Sequence, residues 1–505
     1  MALVSIAGWS TLLQWYGLYE HRHSPHFGFD RIPGWFDSPV IRNTLAIFVV
    51  IALAYAAAIW SLRWSNGTST RVRLAAVLLM VGPAIVNVAL YPVGALDVFN
   101  YMIELKLTFH YDRNPYLVTF QGYEADSFAR FAFLTDIRLF YGPAWLLASL
   151  IPVTVTGFND VVATLLGLKI FNLALLVVGA LLIAACQRDA RDRWLAATVF
   201  LANPLVLFEG VANAHNDVLL AVLLIGAMLA LQRQSSLAGP LLALSALVKL
   251  YTVVLVPIFI VVVLRERWGW RRAATTTVLV AVTVVIACAP YWGDGQLIDG
   301  LRTGLDQSQD MDHVSPYSLA QQYAQERQAE DKLNANFLRG RPSAEIVPAE
   351  TQELLRNGFV VAFMAAALLI AVSVWKGRPP ELAAAETLLL MMLLLTNLYG
   401  WYLIPVFALL ALRLDRLGHT YIMIATLLAL AYYPMFVYAH FNTSWTRFEV
   451  HQFLALFLTV PILIYLTARV VGWMWHLRGA SAGTHVAGRR GALTWFGTRN
   501  ERQAP

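Results

Sequence analysis

The chain has 505 residues, 58% hydrophobic and 13% charged, with a net charge of +6 and a mean hydropathy of +0.59. A soluble protein carries about 25% charged residues, so this composition excludes an ordinary soluble enzyme and implies an all-α, polytopic membrane bundle. The basic residues sit in short loops between apolar runs, where they orient the chain in the bilayer, and no nucleic-acid partner is expected.

Crossing about 30 Å of hydrocarbon takes roughly 20 apolar residues, fewer where neighbouring helices shield a short one. Residues 1–19 are apolar, lack the basic leader and cleavage site of a signal peptide, and read as either a span or an interfacial helix. Spans are then predicted near 43–62, 74–92, 160–185, 194–210, 217–232, 237–249, 251–264, 273–290, 357–375, 382–398, 400–413, 420–439 and 450–474, about 13–14 in all. The run 237–264 is too long for one crossing and is split at Lys249, a residue too costly to leave at mid-membrane. These spans form one transmembrane unit, residues 1–477, with larger loops at 93–159 and 291–355. The basic stretch 478–505 is expected to be a disordered tail.

The connections at 63–73, 187–193, 265–272, 376–380 and 413–416 all carry an excess of Arg and Lys, which assigns them and the tail to the cytoplasm. The alternate loops then face outward, and the stretch 291–351 carries twice as many acidic as basic residues. This assignment holds if Tyr141–Val155 lies along the outer surface instead of crossing. Cys186 and Cys288 fall at opposite faces, so no disulfide is expected, and two cysteines cannot support a metal cluster.

With that topology the chemistry-bearing residues collect on the outer side. Asp97 leaves an apolar run and heads "DVFNYMIELKLTF", whose spacing predicts an amphipathic helix on the bilayer with Glu104 and Lys106 on its polar side. Asp97 is either the cap of that helix or a carboxylate placed to take a proton from a hydroxyl. Asp112 is a second acid in the same loop. Asn213, His215, Asn216 and Asp217 crowd the start of the next apolar run, more polar groups than one cap requires and too few ligands for a metal site. Lys249 either snorkels to the headgroups or offers a fixed cation to a lipid phosphate. Tyr399, Trp401 and Tyr402 form at least an interfacial aromatic belt and, with Tyr141, are candidates to stack on a sugar ring.

The order "LDVFNY", "RNPY", "YGPAW", then "NPLVLFEGVANAHNDVLL", "ALVKLYTVVLVP" and "WYLIPVFALLAL" resembles integral-membrane glycosyltransferases of the GT-C fold. More narrowly it is similar to bacterial polyprenyl-phosphate-mannose-type mannosyltransferases, over roughly Leu90 to Leu412. The resemblance implies a sugar donor carried on polyprenyl phosphate in the outer leaflet and inverting transfer, with mannose the favoured sugar. Asp97 would be the general base, and Tyr101, Asn114, Tyr116, Tyr141, His215, Asn216, Asp217, Lys249, Tyr399, Trp401 and Tyr402 would line the substrate site. Lys249 and His215 are the candidates, by position, to stabilise the leaving phosphate. Val98 follows Asp97 where many such enzymes carry a second acid, so no metal or other cofactor is expected. The acceptor is expected to be a glycolipid or polysaccharide, and the enzyme to work in the plasma membrane. Three rivals stand beside this: a transporter or flippase of lipid-linked sugars, an acyltransferase using His215, and a scaffold that has lost its chemistry. A transporter calls for ionisable residues facing a pathway at mid-depth, and none in the spans is persuasive as one.

Overall fold

The computed structural model describes residues 1–21, 37–64, 69–131, 134–307, 314–324 and 349–482. Parts of the predicted 291–355 loop (308–313 and 325–348), of the 63–73 connection (65–68), and most of the predicted tail (483–505) lie outside them. Among the described residues the fold is helical, with one isolated bridge between Gly17 and Leu90.

The chain opens with α1 (Ala2–Trp15), α2 (Ser38–Trp64) and α3 (Thr70–Ala89). Fourteen residues make about 21 Å of helix, so α1 cannot span alone. Instead its Trp9 is fully buried against Phe48 of α2 and against Phe208. Next come α4 (Asp97–Phe109), α5 (Pro143–Thr156), α6 (Val161–Ala185), α7 (Ala190–Leu201) and its bent continuation α8 (Pro204–Ala212). Local chemistry sets these boundaries. The Asp160 carboxylate caps α6 by accepting the Val162 N–H at 2.8 Å, and Asn203 caps α8 through the Leu205 and Val206 N–H groups, with Pro204 in the first turn. The 50° bend between α7 and α8 falls at that cap.

Two short helices, α9 (Asp217–Gln232) and α10 (Ala238–Val248), precede α11 (Leu250–Arg265) and α12 (Trp270–Cys288). The break at Lys249 is where the sequence places it, and its backbone there is extended. The C-terminal half holds α13 (Gln296–Gln307), α14 (Ala349–Trp375), α15 (Pro380–Met392), α16 (Leu403–Ala411), α17 (Arg416–Phe441) and α18 (Arg447–Ala482). α18 continues past residue 478, so the first residues assigned to the tail are helical. Among the described residues seven helices are long and apolar enough to cross a membrane, eight if the bent α7–α8 pair is one span, and the chain is a multi-pass membrane protein. The predicted spans 217–232, 237–249, 251–264 and 400–413 are shorter apolar helices, and 382–398 is the 13-residue α15, which ends at Met392.

Burial separates centre from rim. The most apolar window of α17 is 61% buried within the protein and that of α12 only 11%, so α12 leaves its side chains to lipid. α9 and α16 are buried almost throughout and form the axis of the bundle. At the arginine-rich end, buried acids fasten neighbouring helices: Glu386 pairs with Arg378 and with Arg469, Glu381 with Arg413, and Arg469 also with Asp415. Both cysteines are free.

Candidate active site

The site is assembled at the ends of α4, α5, α9, α10 and α16 by three fastened turns. The first is the loop before α4. Lys169, buried within α6, donates to the carbonyls of Asn87 and Leu90 and so closes the C-terminus of α3. Gly94 then passes so close to Asn213 and Phe208 that a Cβ would lie 2.3 Å from the Asn213 amide nitrogen. Its N–H donates to Asn213 Oδ1 at 3.0 Å.

That contact leads to the second turn, residues 213–216. A π-turn over Phe208–Ala212 and a left-handed Ala214 (φ +54°) reverse the chain here. Asn172 holds it by donating to the carbonyls of Gly210 and His215 at 3.0 and 2.9 Å. Beneath it lies Glu209, fully buried, which accepts from Asn213 Nδ2 at 2.8 Å and from the Tyr433 hydroxyl and stands 3.4 Å from His215 Nε2.

The third turn is Tyr141–Gly142–Pro143. The Gly142 N–H donates to the Val248 carbonyl at 3.0 Å, and a Cβ at Gly142 would sit 1.9 Å from the Leu247 carbonyl oxygen. Only glycine permits this approach, and it brings Tyr141 beside Lys249. Pro143 starts α5.

Asp97 stands at the first helical position of α4, one residue past its cap, so it is not the N-cap. Its Oδ1 accepts the Tyr141 hydroxyl at 2.6 Å. The Tyr141 ring meets Tyr101 edge-on at 5.1 Å, and the Lys249 ammonium lies 5.4 Å from the centre of the Tyr141 ring. Lys249 also stands 5.0 Å from the Tyr402 ring and donates to Asp217 Oδ2 at 2.6 Å, while Tyr251 reaches Asp217 Oδ1 at 3.4 Å. Burial pushes the Asp97 carboxyl above the ordinary carboxylate range, and the Tyr141 hydrogen bond and Lys249 only partly oppose it. Burial, reinforced by Lys249, holds His215 well below its ordinary value, so it is neutral at neutral pH.

Thus Asp97, Tyr101, Tyr141, Asp217, Lys249 and Tyr402 converge, as the sequence predicts. The Asn216 side-chain oxygen and nitrogen are buried beside them and meet no protein partner among the described residues.

Other expectations are revised. Asn114 donates to the Tyr291 carbonyl, and the fully buried Tyr116 donates to the Tyr141 carbonyl at 2.8 Å, so both brace the site from behind. Trp401 stacks on His215 at 4.1 Å and on Tyr399 at 4.2 Å and is 7% exposed; its ring is packed inside the protein, while Tyr399 and Tyr402 stay partly exposed. α4 is not a surface helix with a wet face. Lys106 is buried, paired with Asp126 at 2.7 Å and lying over the Phe128 ring. Glu104 keeps an unpartnered buried oxygen. Asp112 is exposed in a left-handed turn at the far end of α4, about 20 Å from Asp97 along the helix.

Glu209, Lys169 and Tyr251 join the site beyond the residues expected from sequence. Glu209 and Lys169 lie inside apolar runs, where an ionisable residue is itself a functional signal, and Glu209 stands one helical turn before Asn213. Among the described residues no three His, Cys, Asp or Glu side chains gather as a metal-ligand set.

Fold and site define a polytopic helical membrane protein with a cluster of charged and aromatic side chains where its short helices meet. The alpha-(1->6)-mannopyranosyltransferase N-terminal domain model matches residues 5–265, and that of glycosyltransferase family 87 matches residues 139–397. The chain belongs to these families and is a membrane glycosyltransferase of the mannosyltransferase type. No curated protein matches the chain.

Proposed function

We propose that the protein transfers a sugar, with mannose favoured, from a polyprenyl-phosphate donor to a hydroxyl of a glycolipid or polysaccharide acceptor at the outer face of the plasma membrane, with inversion. The observation that carries this is a carboxylate and a cation both held by one side chain: Tyr141 hydrogen-bonds Asp97 through its hydroxyl and covers Lys249 with its face.

An inverting transfer needs a base for the acceptor hydroxyl and, across the anomeric carbon, a cation for the departing phosphate. Asp97 takes the acceptor proton as the oxygen attacks the anomeric carbon, and the C–O bond to the lipid phosphate breaks with its electrons remaining on phosphate. A carboxyl raised by burial is a stronger base than an exposed one. Lys249 spends one N–H on Asp217 and keeps the others for phosphate oxygens. The unpartnered amide of Asn216 is available to sugar hydroxyls, and a neutral His215 can donate or accept. The family matches support the transferase class and the mannose type; the polyprenyl carrier rests on the lipid setting and the cation.

The test is transfer by purified protein in lipid, with a panel of polyprenyl-phosphate sugars and a glycolipid acceptor fraction. Wild type should use one sugar, and Asp97→Asn should be slower by at least about a hundredfold. Equal rates would remove Asp97 as the base. No transfer by either, with uptake of lipid-linked sugar into vesicles, would favour a flippase.

A further inference from the structure

The helices that carry the active site end, at their other termini, in a second site. α9 runs from Asp217 to Gln232, about 24 Å. α11 starts beside Lys249 and ends at Arg265, and α16 follows Tyr402 and ends before Arg413. Around these far ends lies a cavity of 1110 Å³, above the usual range of about 300–1,000 Å³ for ligand pockets. Six arginines line it against four carboxylates.

Four of those arginines are already engaged: Arg265, Arg378, Arg413 and Arg469 hold Glu266, Glu386, Glu381 and Asp415. Arg63 and Arg416 are different. Neither forms an ion pair among the described residues, and the one polar contact of the Arg63 guanidinium there is His419 Nδ1 at 3.4 Å. Arg416 and Arg191 repel Arg63, while Asp415 and Asp192 attract it; Asp415 is already shared with Arg469 and with the Gly418 N–H. The rest of the wall includes Leu231, Val262, Leu417 and Trp473, so one ligand would meet cations and hydrocarbon together.

A separate observation sets the depth of this cavity. Trp60, Trp64, Trp270 and Trp375 are each more than half exposed, and all four adjoin the arginine-rich connections at this end. Exposed tryptophans gather at the headgroup level of a bilayer, and basic pockets between transmembrane helices at that level take anionic headgroups.

We propose that this cavity binds the phosphate group of an anionic phospholipid from the leaflet on the arginine-rich side, with Arg63 and Arg416 as its contacts. This site is distinct from the donor site at the opposite end of α9 and does not depend on the transfer reaction. The shared chemistry is a phosphate ester, and the lipid source is favoured by the apolar wall and the tryptophan level.

The test uses the whole protein in nanodiscs of phosphatidylcholine with or without phosphatidylglycerol, read by lipid retention in native mass spectrometry and by thermal unfolding, with inorganic phosphate as a separate arm. Wild type should retain phosphatidylglycerol over phosphatidylcholine and unfold later in its presence. R63Q/R416Q should retain it about thirtyfold more weakly, and R63K/R416K should keep most of the preference. The four paired arginines are untouched, so in pure phosphatidylcholine all three proteins should unfold alike. Equal retention by wild type and R63Q/R416Q overturns the assignment, as does protection by inorganic phosphate with none by phosphatidylglycerol. If R63Q/R416Q does not fold, the wild-type comparison decides alone: no preference between the two lipids overturns the proposal.

Discussion

The Tyr141 hydroxyl donates to Asp97 Oδ1 at 2.6 Å, and the same ring covers the Lys249 ammonium at 5.4 Å. One side chain therefore fixes the spacing between the proposed base and the proposed phosphate contact. It also tunes the base, because a hydrogen bond to the carboxylate opposes the upward push of burial.

Tyr141→Phe should accordingly raise the Asp97 pKa further. A hydrogen bond to a charged group is worth about 1.5–3 kcal/mol, so the acid limb of the kcat/KM profile should move up by about one to two pH units. With Asp97 as the proposed base, activity should require its ionised form and fall as pH drops through its raised pKa. A limb that stays in place in Tyr141→Phe would separate that limb from Asp97.

Linkage runs the other way for stability. A carboxyl whose folded pKa lies above its unfolded value is destabilising once ionised, and this cost is absent below the unfolded pKa and complete above the folded one. Asp97→Asn should therefore unfold at the same or higher temperature than wild type at neutral pH while losing transfer. A lower melting temperature at neutral pH in detergent would contradict the burial argument.

Lys249→Met leaves Asp217 fully buried without its partner, which typically costs about 3–5 kcal/mol. Lys249→Met/Asp217→Asn should recover most of that stability but not the transfer rate. Recovery of both, measured by thermal unfolding and initial rates, would reduce the pair to a structural role.

Gly142→Ala drives a methyl group into the Leu247 carbonyl, and overpacking of this kind costs about 1–3 kcal/mol or more. It should also displace Tyr141 from Lys249 and cut turnover by at least about tenfold. Gly358→Ala, with open space around it, is the control and should match wild type in expression and rate.

Cysteines at Asp112 and Arg193, both exposed, test the topology in a chain whose Cys186 and Cys288 are replaced by serine. Asp112→Cys should react with an impermeant maleimide added outside intact cells, and Arg193→Cys only after permeabilisation. The reverse pattern would place the proposed base on the cytoplasmic side and remove the outer-face reaction.

The helices were legible in the sequence because a membrane span is written locally: about 20 apolar residues bounded by charge, capped by Asp160 or Asn203 and broken at Lys249. Asp97, Asp217, Lys249 and Tyr141 could likewise be singled out, since polar groups in apolar surroundings are costly and conspicuous. What they do to one another was not local. That Asn114 and Tyr116 brace the site, that Trp401 is consumed in a stack with His215, and that Lys106 is buried on Asp126 depend on partners tens to hundreds of residues away. Glu209 was legible on the same local ground, as an acid inside an apolar run, but its partner Tyr433, 224 positions further on, was not. Periodicity and charge thus determine by themselves that the chain crosses a membrane many times and which loops gather its acidic, basic and aromatic residues. Only the packing of the short helices decides which side chains meet at the site, because contact distance in space is set by helix crossings that no spacing in the sequence records.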